Sequence, residues 1–147
     1  MGYCIRRRNK GNAIVKVKGL DGKTHSWTFY GQTVYAEDTR SRSALHLRAR
    51  NILRELYPVD RVLEEVHLPG SGNLYADFWL PLRKKIIEVH GEQHYKYIPF
   101  FHGNYLNFLN SKANDKNKGI WCSINEITLV ELPFNESDEQ WKSRIIN

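Results

Sequence analysis

The stretch Leu74-Tyr75-Ala76-Asp77-Phe78-Trp79-Leu80-Pro81, followed by Lys85-Ile86-Ile87-Glu88-Val89-His90-Gly91, decides how this sequence is read. Each run is rich in β-branched and aromatic side chains and is bounded by proline or glycine, so each predicts a strand. Pro81-Leu82-Arg83-Lys84 separates them and makes them a hairpin. Both runs are largely apolar, yet each carries a carboxylate, Asp77 or Glu88. A carboxylate is costly to bury unless it is paired or binds a cation. Two on neighbouring strands can face one another and hold Mg²⁺ or Mn²⁺ through oxygen. They can equally be ordinary acids at the edge of a sheet, and the residue types leave both readings open.

Working outward, Val62–Leu68 is a further strand, set off by Pro69-Gly70-Ser71-Gly72. Before it, Leu45, Ala49, Ile52, Leu53 and Leu56 fall on one helical face. Ser41 or Ser43 can cap that helix, and Pro58 ends it by pushing Tyr57 out of the α region. After the hairpin, Gly91 to Gly103 reads as an aromatic, irregular loop. Tyr105, Leu106, Leu109, Ala113, Ile120 and Trp121 predict a second helix, interrupted near Gly119. Ile127–Leu132 is a strand stopped by Pro133. Ser137-Asp138-Glu139-Gln140 is a capping-box pattern ahead of Trp141, Ile145 and Ile146. The order from about residue 41 is therefore α-β-β-β-α-β-α, a mixed α/β core spanning 41–147. Upstream, Ala13–Lys18 and Thr24–Tyr30 alternate around the turn Gly19-Leu20-Asp21-Gly22 and predict a β-hairpin. Residues 1–40 thus read as a basic hairpin arm and a linker.

The chain has 147 residues, with 22 Lys+Arg against 16 Asp+Glu, a formal charge of +6. A basic balance favours a polyanionic partner, most simply nucleic acid, with DNA the first expectation. Arg6, Arg7, Arg8, Lys10, Lys16 and Lys18 would meet backbone phosphates without reading sequence. Lys96 sits among Tyr95, Tyr97, Phe100 and Phe101, a mixture suited to a nucleic-acid groove. Two cysteines, Cys4 and Cys122, make neither a disulfide framework nor a zinc site by themselves. No apolar run approaches the ~20 residues of a membrane span, and no signal-peptide pattern opens the chain. The expectation is a cytoplasmic protein without a membrane partner; a homodimer stays open.

Further chemistry gathers after Glu88. A histidine at 90 or 94 suits proton transfer near neutrality. His90 and His94 would also suit zinc if they lay one turn apart on a helix, but they follow a β-branched strand and bracket Gly91, which argues against that. Asp115 and Lys118 share a face of the second helix, which is also what a solvated helix surface looks like.

Taken in order, Asp77-Phe78-Trp79-Leu80-Pro81, Glu88-Val89-His90-Gly91-Glu92-Gln93-His94-Tyr95, Phe100-Phe101-His102, Asn114-Asp115 with Lys118, and Trp121-Cys122 resemble the small, often phage-encoded endonucleases related to very short patch repair enzymes. These form the EDxHD branch of the PD-(D/E)xK superfamily. The resemblance covers about Ser43 to Pro133. It implies a restriction-endonuclease-like core and divalent-metal-dependent hydrolysis of phosphodiesters, by in-line attack of a metal-activated water. Within it, Asp77 and Glu88 match the metal-binding carboxylates, and the backbone of Val89 often adds a ligand. His94 matches an active-site histidine, a base or water-orienter; Asp115 and Lys118 match the helical pair beside the site. The chain departs from the wider superfamily where an E-x-K lysine is expected, having Glu88-Val89-His90, as relatives of this branch do. It departs again at the first helix, where His46, Arg48 and Arg50 stand and an early acid does not. The rival reading is a catalytically inert nuclease-like protein that binds nucleic acid or a host protein.

Overall fold

A computed structural model describes residues 14–29 and 43–147. Arg6, Arg7, Arg8, Lys10 and the linker expected over 31–42 lie outside the described residues. A hairpin of β1 (Ile14–Lys18) and β2 (Thr24–Thr28) comes first. Helix α1 (Ala44–Leu56) follows, then strands β3 (Leu63–His67), β4 (Tyr75–Leu80) and β5 (Lys85–His90). A 3₁₀ turn over Glu92–His94 and the short helix α2 (Pro99–His102) lead to the long helix α3 (Tyr105–Ile124). Strand β6 (Thr128–Pro133) and helix α4 (Asp138–Ile146) close the chain. The four-stranded sheet runs β3-β4-β5-β6, antiparallel except for the parallel β5–β6 pair.

The caps follow the sequence. Ser43 caps α1 by accepting a hydrogen bond from the His46 amide at 3.1 Å; Ser41 lies outside the described residues. Ser137 and Gln140 form the reciprocal capping box of α4. The expected break near Gly119 is absent: α3 passes through it without interruption. A helical glycine costs about 1 kcal/mol relative to alanine. The buried Trp121 and Cys122 just beyond anchor that part of the helix against the sheet. The loop expected over Gly91–Gly103 also holds more structure than its composition suggested, in the 3₁₀ turn and α2.

Both faces of the sheet are covered. On one, Leu63, Trp79 and Ile86 meet Trp121 of α3 and Val17 and Trp27 of the hairpin. On the other, Phe78, Leu80 and Ile87 meet Ala49, Ile52 and Leu53 of α1 and Trp141 and Ile145 of α4. Ile86 and Ile87, adjacent on β5, are both fully buried because they point into opposite layers. The hairpin is part of this core. Trp27 stacks on Trp79 with ring centroids 4.7 Å apart and meets Trp121 edge-on at 5.3 Å. Asn125 clips it down, accepting from the Lys18 amide at 2.7 Å and donating to the Lys18 carbonyl at 2.9 Å.

One point in the sheet is irregular. Ala76 and Trp79 pack into the same layer while Phe78 packs into the other, so the alternation of β4 slips at Asp77. The β3–β4 ladder pairs Glu64 with Phe78 and Val66 with Ala76, skipping the position between them. That position is Glu65, whose φ of 53° lies in the left-handed region. Such a conformation in a non-glycine residue costs about 1–3 kcal/mol and gathers at functional sites. The β4–β5 ladder likewise stops at Phe78–Ile87, one step before Asp77 would face Glu88.

Candidate active site

Where the ladder stops, side chains take over its hydrogen bonds. The Asp77 amide donates to Glu88 Oε2 at 2.8 Å, and the Val89 amide donates to Asp77 Oδ2 at 2.9 Å. Each carboxylate therefore ties its own strand to the other. Continuing the register sets Asp77 opposite Glu88, where side chains share a face. Lys118 arrives from α3 and donates from Nζ to Glu88 Oε1 at 2.7 Å. Asp77, Glu88 and Lys118 are thus brought together. Val89 meets the site through its backbone N–H, whereas the family resemblance concerns its backbone carbonyl as a metal ligand.

Burial sets the electrostatics. It raises the Asp77 carboxyl above its ordinary range, against the Val89 amide and the charges of Lys118, His46 and His94. Burial, then the charge of Asp77, pushes Glu88 up to about 7, with Lys118 pulling the other way. Two acids that resist ionising side by side are short of positive charge. A hard divalent cation fits that need, and Asp77 and Glu88 would hold it.

His94 stands beside this pair. Its Nδ1 lies 3.1 Å from Asp115 Oδ2 on α3, and its carbonyl accepts from Lys112 Nζ at 2.7 Å. Burial works to raise the Asp115 carboxyl, but His94, His90 and Lys118 outweigh it and hold it below its usual value. The carboxylate orients the ring and leaves Nε2 for a proton. His90 is buried with its ring parallel to that of His94, centroids 4.2 Å apart and planes 2° from parallel. Burial, then His94, lowers its pKa to about 4, so it stays neutral at neutral pH.

A further group escaped the sequence reading. Glu64 of β3 is buried against Arg50, with contacts of 2.6 and 3.1 Å to the guanidinium. His46 Nε2 lies 3.1 Å from Glu64 Oε1 without hydrogen-bond geometry, and its ring stacks on Phe78. Burial opposes the Glu64 charge, yet His46 and Arg50 outweigh it and hold its pKa at about 2. This carboxylate is committed to α1, so it does not stand in for the acid absent from the first turn of that helix. The signal in the sequence was Arg50 on the otherwise apolar face of α1.

Of the expected nucleic-acid contacts, Lys16 and Lys18 are exposed on β1, and Lys16 Nζ donates to Ser26 Oγ at 2.8 Å. Lys96 pairs with Glu92 at 2.6 Å and lines an open cleft of about 490 Å³ with Tyr95, Pro133, Phe134 and Asn135. No helix among the described residues is long and apolar enough to cross a membrane.

No family model and no solved structure matches the chain. It is similar to the uncharacterized protein 307L of Invertebrate iridescent virus 6, 41% identical over 69 residues, which cover 47% of this chain and 35% of that protein. It is also similar to the uncharacterized protein 033L of Invertebrate iridescent virus 3, 34% identical over 64 residues, covering 44% and 33%. The matched segment spans about a third of the length of these curated relatives.

Proposed function

We propose that the chain is a divalent-metal-dependent endonuclease with a restriction-endonuclease-like core, hydrolysing phosphodiester bonds in nucleic acid, DNA foremost. The observation that carries this reading is the fork at Asp77 and Glu88. There a half-buried and a buried carboxylate interrupt the sheet ladder, Glu88 meeting Lys118, with His94 and Asp115 alongside. A continuous ladder between apolar residues would tie the strands without the cost of desolvating two carboxylates and an ammonium.

Asp77 and Glu88 would hold Mg²⁺ or Mn²⁺, which when bound offsets phosphate charge and makes water more acidic. Lys118 Nζ, within hydrogen-bond reach of Glu88, would turn its ammonium toward a phosphate oxygen. His94, held at Nδ1 by Asp115, would take the proton of the attacking water at Nε2. Lys16 and Lys18 would bear on the phosphate backbone to either side, and the cleft beside Lys96 and Tyr95 would take a neighbouring nucleotide.

The direct test is incubation with plasmid, linear duplex and single-stranded DNA over a range of Mg²⁺ and Mn²⁺ concentrations. Cleavage that EDTA stops supports the reading; intact substrates under every condition overturn it. One observation favours the rival, an inert nuclease-like binder of nucleic acid or of a host protein: the first turn of α1 carries no acid. Intact substrates together with tight, metal-indifferent binding would select it.

A further inference from the structure

His90, His94 and Asp115 come from three separate pieces of the chain: the end of β5, the 3₁₀ turn and the middle of α3. The fold gathers them so that one ligand atom from each lies within 4.8 Å of the others. We propose that these three residues form a binding site for a borderline divalent transition metal of the zinc class, distinct from the oxygen site at Asp77 and Glu88. The proposal concerns ion capture; because it shares His94 and Asp115 with the proposed hydrolysis, an ion held here would take the place of their work on water.

Donor chemistry separates the two sites. Asp77 and Glu88 offer only oxygen, which suits Mg²⁺ and Mn²⁺. Two imidazoles and a carboxylate suit zinc, cobalt or nickel and are poor for magnesium. Three protein ligands leave a coordination position for water, the pattern of open zinc sites. Glu131 Oε2, 4.0 Å from His90 Nε2, offers a further carboxylate at the edge of the cluster.

The three groups lie close enough to converge on one ion once the His94 ring turns out of its stack on His90. The two rings lie parallel at 4.2 Å, an arrangement that two imidazolium cations would disfavour. His90 is buried at the end of β5, which fixes one ligand of the three. Lys112 holds the backbone of His94 in place at 2.7 Å. Closing on an ion with metal–nitrogen bonds of about 2.0–2.1 Å asks for a turn of the His94 ring as well as an inward shift, because the lone pairs of stacked rings run side by side. His94 and Asp115, with side chains 25% and 18% exposed, are free enough to make it around the fixed His90. The charges facing the cluster are mixed: Lys112 and Lys118 oppose a cation, while Asp115 and Glu131 attract one.

A helix is therefore not needed to pair His90 with His94. The tertiary fold supplies the third ligand from Asp115, where sequence spacing alone had argued against zinc.

The test is a titration of the full chain with Zn²⁺ against a chromophoric chelator, repeated with Co²⁺ read by its visible absorption. Wild type should bind one equivalent of Zn²⁺, keep it in excess Mg²⁺, and melt at a higher temperature when loaded. Asp77→Asn should bind Zn²⁺ within about twofold of wild type. His90→Ala should lose at least about tenfold in affinity, the lower end of what even an outer-shell change costs. His90 is buried, so His94→Ala and Asp115→Asn, at more exposed positions, serve alongside it and should show the same loss. Absence of Zn²⁺ binding by wild type would overturn the proposal. So would binding that Asp77→Asn abolishes while the histidine and Asp115 variants leave it unchanged, since the ion would then sit in the oxygen site. Failure of DNA cleavage would bear on the nuclease reading alone, because no arm of this titration uses cleavage.

Discussion

At Glu88, burial and the neighbouring Asp77 charge push the carboxyl up to about 7. An ion that binds the pair must displace the proton they retain near neutrality. Apparent Mg²⁺ affinity should therefore rise with pH up to about 7 and release protons, seen by calorimetry in buffers of different ionisation enthalpy. Glu88→Gln should weaken binding and flatten that dependence. The same shift has a stability consequence. Glu88 has its folded pKa raised above the unfolded 4.5. Its contribution is therefore present below pH 4.5 and lost as pH rises through about 7. His90, lowered from 6.5 to about 4, works in reverse: its contribution is lost as pH falls from 6.5 towards 4. The difference in stability between wild type and Glu88→Gln across this range isolates the Glu88 part. Glu64 is the structural counterpart. Glu64→Gln takes a charge partner from Arg50, which is 1% exposed. Breaking such a buried pair costs about 3–5 kcal/mol, read by chemical denaturation. A loss below about 1 kcal/mol would contradict the role given to Glu64.

Among the elements, the β1–β2 hairpin shows where patterning serves and where it stops. Alternation and the Asp21-Gly22 turn made the hairpin legible in the sequence. Its docking was not, because Val17 and Trp27 look the same in a free arm as in a core layer. The stack of Trp27 on Trp79 makes the hairpin a structural element, and Trp27→Ala should cost about 3–5 kcal/mol. Truncation through residue 18 would remove Val17 from the core, so phosphate contact is better tested by charge. Lys16→Gln with Lys18→Gln should lower the log–log salt slope of DNA binding by up to about two units. An unchanged slope would show that β1 does not touch phosphate. The strands holding Asp77 and Glu88 were legible from their composition and their bounding residues. The slip at Asp77 and the left-handed Glu65 were not, because both depend on how neighbouring strands pair, which neither strand specifies alone. The contact of His94 with Asp115 joins residues far apart in the chain and depends on how α3 crosses the sheet. Gly119 misled the reading because local propensity was overridden by the packing of Trp121.

For the whole molecule, the sheet with helices on one side and a helix and hairpin on the other places the candidate site where α1 and α3 approach the fork between β4 and β5. The layers fix Asp77 and Glu88, while Lys118 reaches Glu88 from α3 and His94 meets Asp115 from the 3₁₀ turn. The likeness to the two viral proteins covers less than half of the chain and about a third of each relative, so activity must be read from this chain itself. The most direct measurement compares wild type with Asp77→Asn for DNA binding and for DNA cleavage in Mg²⁺ and Mn²⁺. The substitution keeps the shape of the side chain and removes the charge that would hold the ion. Wild type should cleave and Asp77→Asn should not, with DNA affinity equal or higher in the variant because a charge that repels phosphate is gone. Wild-type protein that binds DNA as tightly as Asp77→Asn but cleaves nothing with either ion would contradict the nuclease account.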